Sequence, residues 1–364
     1  MASTQRPADR KSFRIAMVCA LTRQADAVAL LFDQFWDDKC DPYGRADGDT
    51  NTYITGRIGN HNVVLVVLPN TGTNSAAATT ASLRSSYTNL KLVILVGTCS
   101  GVPCIDNIDV SLGDVVVSKN IIQYDYGRQY PGNFAVKNTV EDSLGRANKD
   151  IRSLLAVLGM EMMRERLQAE ASRHLRYLQE AAKKERRRAN YRTPGIEESK
   201  LYPREDTHSH QKDCTVCASD SDVSCKFTSK ASCTETAHDP ATPMARERSE
   251  DLNESRDFSP EIFFGRIGSG NTVMKSSQDR DRIAAANNLI AFETEGAGAW
   301  DEVPCIVVKG VCDYASSHDD EVWQDFATAT AASVAKAILG RYAVNDGDRD
   351  ATHMSKTGGL FSLS

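Results

Sequence analysis

Four short runs of aliphatic and β-branched residues constrain the fold of this chain more than any other feature: Phe13–Val18, Asn62–Leu68, Lys91–Gly97 and Asp114–Ser118. They are nearly continuously apolar rather than alternating, which predicts strands buried on both faces. Between them, Arg23–Asp33 and Ser75–Ser86 read as helices, the second opened by Thr73 or Asn74 as N-cap. The strand pattern resumes at Glu261–Gly268, Leu289–Glu293 and Pro304–Gly310, and a helix over Asp325–Tyr342 closes it. Such alternation predicts an α/β fold: a single three-layer domain with a mixed, mostly parallel central sheet flanked by helices.

One interruption breaks the pattern. From Met160 to Tyr191 the chain is rich in Arg, Glu, Ala and Leu and reads as one long charged helix. Arg192–Ser259 is polar, with too few large apolar residues to fold by itself, and reads as disordered or loosely ordered. So long a polar segment inside a compact domain predicts an insertion. The expected organisation is a discontinuous domain over 13–150 and 260–342, an insertion over 151–259, and flexible tails over 1–12 and 343–364.

Composition narrows the function. With 364 residues, 41% of them hydrophobic, the chain can bury a large core. A net charge of −6 argues against a general nucleic-acid binder. No apolar run approaches the roughly 20 residues of a membrane span. The first residues, MASTQRPADRKSFRIAMV, lack the apolar stretch of a secretory signal, so the 10 cysteines are expected to be reduced thiols in a cytoplasmic protein.

Three polar turns sit at expected strand ends: Asn70–Asn74, which contains Gly72 and Thr73; Val96–Gly101, which contains Thr98 and Ser100; and Ser269–Met274. Ligands of α/β sheets bind outside the carboxyl ends of strands, where backbone N–H groups can meet anions. None of the turns matches a P-loop or dinucleotide fingerprint, and each alone fits an ordinary turn; together they predict a polar small-molecule pocket. Glu293 and Glu295 end one strand and Asp313 the next, either as a carboxylate site or as caps of the helices that follow. In the insertion, Cys214 and Cys217 followed by Cys225 and Cys233 fit a structural zinc or a loop with incidental thiols. The Lys183–Arg188 run could contact nucleic acid, but it is interleaved with acids and reads rather as a solvated helix face or a partner surface. Cys99 and Cys312, in apolar strand ends, read as packing residues, while His318 and Trp323 fit a pocket border or the surface.

Five stretches carry a resemblance: Ile15–Leu21, Leu112–Ser118, Phe264–Ser276, Phe292–Gly298 (FETEGAG) and Lys309–Ala315 (KGVCDYA). In this order they resemble the nucleoside phosphorylase family, which includes methylthioadenosine/adenosylhomocysteine nucleosidases, and most of all the form found in filamentous fungi. The resemblance covers about 13–150 and 260–342. It implies that Asp313 protonates or hydrogen-bonds the purine N7 as the base leaves, and that Glu295 accepts the ribose 2′- and 3′-hydroxyls with Glu293 in support. It also implies that Val273 and Met274 flank the base, and that Thr98 and Ser100 touch ribose or phosphate. General acid assistance to a leaving base suits an oxocarbenium-like transition state, and the Glu295 charge favours the cationic sugar.

One position departs from the family. Hydrolytic members activate water with a glutamate where this chain has Gln24, and a glutamine cannot act as a general base. Phosphorolysis needs an anion site instead, for which Arg23, Thr73, Thr98 and backbone N–H groups are candidates. The expected function is therefore cleavage of a purine nucleoside or nucleotide by phosphorolysis or hydrolysis. No cofactor or metal is expected, phosphate is a candidate co-substrate, the partner is a small-molecule nucleoside, and the chain is expected to form a homo-oligomer. Alternatives are a nucleoside-sensing or interaction module with little or no turnover, and a zinc-dependent adaptor acting through the insertion.

Overall fold

The computed structural model describes residues 6–131, 133–137, 139, 141–194, 201, 258–316 and 321–343. In chain order its strands are β1 (Ile15–Cys19), β2 (Gln34–Phe35), β3 (Tyr53–Ile58), β4 (His61–Val67), β5 (Leu92–Gly101), β6 (Cys104–Ile105), β7 (Ile108–Asp109), β8 (Val115–Gln123), β9 (Gly127–Tyr130), β10 (Asn133–Val136), β11 (Ile262–Ser269), β12 (Leu289–Glu293) and β13 (Cys305–Asp313). The α-helices, numbered α1 to α7, are Thr22–Ala29, Thr73–Ser86, Lys149–Leu158, Glu161–Lys184, Ser277–Asn287, Gly296–Trp300 and Gln324–Arg341.

The apolar runs form the centre of one sheet, in the order β12-β11-β8-β13-β5-β1-β4-β3-β2. Every residue of β1 is buried, as the unbroken run Ile15–Cys19 predicts for a strand covered on both faces. Parallel pairings join β4 to β1, β1 to β5, β5 to β13, β8 to β11 and β11 to β12, whereas β13 and β8 run antiparallel and β3 returns on β4 as an antiparallel hairpin. The expected mixed, largely parallel sheet with helical layers is what is observed.

A further pairing was not legible. β5 is ten residues long: it lies along β1 over Leu92–Leu95, then bends so that Ser100 and Gly101 pair antiparallel with Phe292 and Ala291 of β12. The sheet thereby closes on itself through β5, β13, β8, β11 and β12.

Helix α7 is buried from Phe326 to Ala335 without a break and packs on β13, β5 and α1. Its small residues, Ala327, Ala329, Ala331 and Ala332 among them, let a fully enclosed helix approach the sheet closely. On the other face α2 and α6 pack together so tightly that a Cβ on Gly298 would lie 1.8 Å from the Thr73 carbonyl oxygen, which only glycine permits.

The two helices that follow the boundary expected at 151 pack on the domain. α3 buries Ile151, Leu155 and Leu158, and α4 lays a stripe of Leu167, Ala171, Leu175, Leu178 and Ala182 against the domain, with α7 as its main partner. The helix ends at Lys184 rather than Tyr191. Its charge content hid this stripe, because Arg and Glu occupy the solvent face at helical spacing. Residues 202–257, with their cysteines, lie outside the described residues, as does His318. No helix of the described residues is long and apolar enough to cross a membrane.

Candidate functional site

Ser100 is the point around which the site assembles. On one side its partner in register is Asp313, the last residue of β13; on the other it is Phe292 of β12. β12 and β13 do not pair with each other; both flank the end of β5. Thr98 and Ser100 are half-buried here.

The Glu295 side is built on charge. Lys309, in the middle of β13 and only 2% exposed, extends its ammonium to Glu295 Oε2 at 2.6 Å and Glu293 Oε2 at 3.3 Å. Glu293 also accepts the N–H groups of Glu295 and Gly296 at 2.9–3.0 Å, so it caps α6, and the capping role and the site role coincide in one residue. Burial by itself would raise the Glu295 carboxyl, but the Lys309 ammonium, the Thr294 hydroxyl and the Gly72 N–H hold it below its ordinary value. Lys309 shows the converse: burial disfavours its charge, yet Glu295 and Glu293 raise it above the ordinary lysine range. Glu295 is therefore a permanent anion at neutral pH. Lys309 was quoted within a motif but given no role in the sequence, because a lysine in a strand pattern carries no sign of being buried.

Two loops close over Glu295. Gly72, at φ +108°, points its N–H to Glu295 Oε1 at 3.4 Å, and Thr73 donates its N–H to Asn271 Oδ1 at 2.9 Å. Asn271 in turn donates its backbone N–H to Asp125 Oδ2 at 2.6 Å. Asn271 belongs to the polar turn Ser269–Met274 but carried no role of its own in the sequence, and Asp125 did not stand out there.

The Asp313 side is lighter. Asp313 is half-buried and accepts the Ala315 N–H at 2.9 Å within a turn whose Ala315 has φ +53°. Behind the turn, Arg280 of α5 is buried, donates to the Tyr314 carbonyl and pairs with Asp281 at 2.7 Å. Met274 packs in a small apolar cluster with Val102, Tyr124, Phe292 and Ala315, whereas Val273 is 64% exposed, so the expected pair of base-flanking residues divides. Cys312 and Cys99 are buried, the Cys312 thiol meets the Cys99 carbonyl, and burial pushes the Cys99 thiol well up; both fit packing roles. Trp323 is buried edge-on against Phe326 at the start of α7.

Two candidates for water or phosphate are already engaged. Gln24 is buried against Gly97 and its Oε1 accepts the N–H groups of Ala20 and Leu21, at 3.0 and 3.2 Å. Arg23 donates to Gln324 Oε1 at 2.9 Å and lies 3.9 Å from Asp325, at the start of α7. A concavity of about 310 Å³ between Gly145–Asn148 and Trp300–Cys305 is at the opposite end of β13 from Asp313. Of its charged lining residues, Arg146 and Asp301 are exposed and Glu302 is half-buried. Among the described residues no His, Cys, Asp and Glu group of three or more is arranged to hold a metal ion.

Residues 14–179 match the family described as the Phosphorylase superfamily. The match spans a little under half of the chain, over its N-terminal part. Solved structures share its fold. An S-adenosylhomocysteine nucleosidase from Streptococcus pyogenes superposes with a TM-score of 0.52 at 16% identity, over 92% of this chain and 98% of that one. A 5′-methylthioadenosine/S-adenosylhomocysteine nucleosidase from S. pneumoniae gives 0.51 at 15%, over 91% and 100%. The futalosine hydrolase of Helicobacter pylori gives 0.51 at 13%, over 90% and 98%. In sequence, the chain is 28% identical over 351 residues to a nucleotide-binding leucine-rich repeat (NLR)-like protein of Hyaloscypha variabilis. That alignment covers 93% of this chain and 31% of that protein, so the chain spans about a third of the length of its relative.

Proposed function

We propose that this domain cleaves the N-glycosidic bond of a purine nucleoside or nucleotide. Supporting this is the meeting of Asp313 and Phe292 on either side of Ser100, beside a Glu295 kept ionised by Lys309. Glu295 accepts the ribose hydroxyls and its charge favours the cationic sugar as the C1′–N9 bond breaks. The bonding electrons pass to the base, Asp313 gives a proton to N7, and phosphate or water adds at C1′. Met274 and Phe292 supply the apolar surface for the purine.

The test is base release from a panel of nucleosides and nucleotides, with and without phosphate, in the wild type and Asp313→Asn. Release that requires phosphate and is lost in the variant identifies a phosphorylase; release without phosphate identifies a nucleosidase. Binding with no release under either condition sinks the catalytic reading.

A second reading has its own observation. Gln24 spends its carbonyl on two backbone N–H groups and carries no proton-accepting carboxylate. With a far longer NLR-like relative, this favours a nucleoside-sensing module of a larger signalling protein. Ligand-induced change in oligomeric state without base release separates the two readings.

A further inference from the structure

The hydrogen bonds around Glu295 leave too little room for a ribose. An ionised carboxylate offers about four lone-pair sites, and a vicinal diol brings two O–H donors. Here Oε1 already accepts from the Gly72 N–H and the Thr294 hydroxyl, and Oε2 accepts from Lys309 Nζ. One site remains, on Oε2. For both ribose hydroxyls to reach the carboxylate, a resident donor must leave.

Two of the three are fixed. Lys309 is fully enclosed and bridges Glu293 and Glu295, so withdrawing it would leave two buried carboxylates without their cation. The Gly72 N–H is held through its neighbour, since the Thr73 N–H is bonded to Asn271 Oδ1 and the Asn271 N–H to Asp125. Thr294 alone donates through a rotatable hydroxyl on a half-buried side chain, needing no backbone movement to withdraw. We propose that the Thr294 hydroxyl occupies, in the free protein, the Glu295 acceptor position that one ribose hydroxyl takes in the complex. Thr294 is then a specificity-determining residue: it satisfies Glu295 when the site is empty and lets go only for a ligand with a second hydroxyl to offer. This rests on the reading of Glu295 as the ribose-binding carboxylate.

Thr294→Val keeps the shape and removes the competitor. In an Asp313→Asn background, which stops turnover, calorimetry with adenosine and inosine should show about three- to tenfold tighter binding for Thr294→Val, the size of one net hydrogen bond. Binding of 2′,3′-dideoxyadenosine should not change, and Thr294→Ser should behave as the parent. Equal or weaker adenosine binding by Thr294→Val, with an unchanged melting temperature, overturns the inference. Glu295→Gln distinguishes the two levels: if it leaves adenosine affinity intact, the ribose reading fails, whereas loss of affinity there together with no gain in Thr294→Val refutes Thr294 alone. If neither nucleoside binds the parent, both fall together.

Discussion

The two sides of the strand-end site are built on opposite principles. The Glu295 side is braced: Glu293, Glu295 and Lys309 are each at most 5% exposed, two loops close over them, and every group has a charged partner. The Asp313 side is open, with Asp313 half-buried on a left-handed turn and Val273 in solvent. A fixed charge can be buried deeply because it never changes state, provided its counter-charge is buried with it. A group proposed to move a proton has to stay where a base and solvent can reach it. The Glu295 side is therefore the one built for stability, and the Asp313 side the one left accessible.

That contrast breaks most visibly at Lys309. Lys309→Met leaves two buried carboxylates without a cation and should cost about 3–5 kcal/mol, read as a fall in the urea midpoint. Its pH dependence carries a definite sign. Glu295 is held below its ordinary 4.5, so its contribution to stability is complete above that value and is lost as pH falls through the lowered one. Lys309 is raised above its ordinary 10.5, so its contribution is complete below that value and fades only as pH rises through the raised one. The stability gap between wild type and Lys309→Met should thus be flat across neutral pH and shrink in acid. A gap that widens in acid would show that the ion pair is not what Lys309 contributes.

Asp313→Asn tests the other side. It should cost about 10²–10⁴ in the rate of base release while leaving the melting temperature nearly unchanged. A large loss of stability instead would mean that Asp313 serves its turn rather than the reaction. Gln24→Glu sharpens the question of the nucleophile: the new carboxylate still accepts the Ala20 and Leu21 N–H groups, and phosphate-independent release should rise about tenfold or more. No rise would show that water is not brought near that position. Smallest of all, Asn271→Ala removes the acceptor of the Thr73 N–H and should cost about 1 kcal/mol by urea denaturation, with weaker nucleoside binding.

The strands and their order of appearance were legible because apolar runs are local. β1, β5, β11 and β13 lie close to where the runs Phe13–Val18, Lys91–Gly97, Glu261–Gly268 and Pro304–Gly310 predict them. The antiparallel strand β3 was not read, since Tyr53–Ile58 contains Gly56 and Arg57 and has no sustained run. α4 was read as a helix but assigned to an insertion, because its buried stripe of leucines and alanines is diluted by the charges between them. Glu293, Glu295 and Asp313 were singled out from motifs and strand-end positions. Asn271, Asp125 and the role of Lys309 were not, as each depends on a partner more than a dozen residues away.

The sequence by itself determined the elements and the chemistry available: near-continuous apolar runs make strands, and Glu293, Glu295 and Asp313 stand where those strands end. Only the tertiary structure decided how the strands that carry these carboxylates meet. β12 and β13 do not pair with each other; each pairs with the end of β5 near Ser100, so these carboxylates sit at neighbouring strand ends. The tertiary fold likewise decided that Lys309 is buried between two of them, because burial is set by what packs around a side chain and not by the residues beside it in the chain.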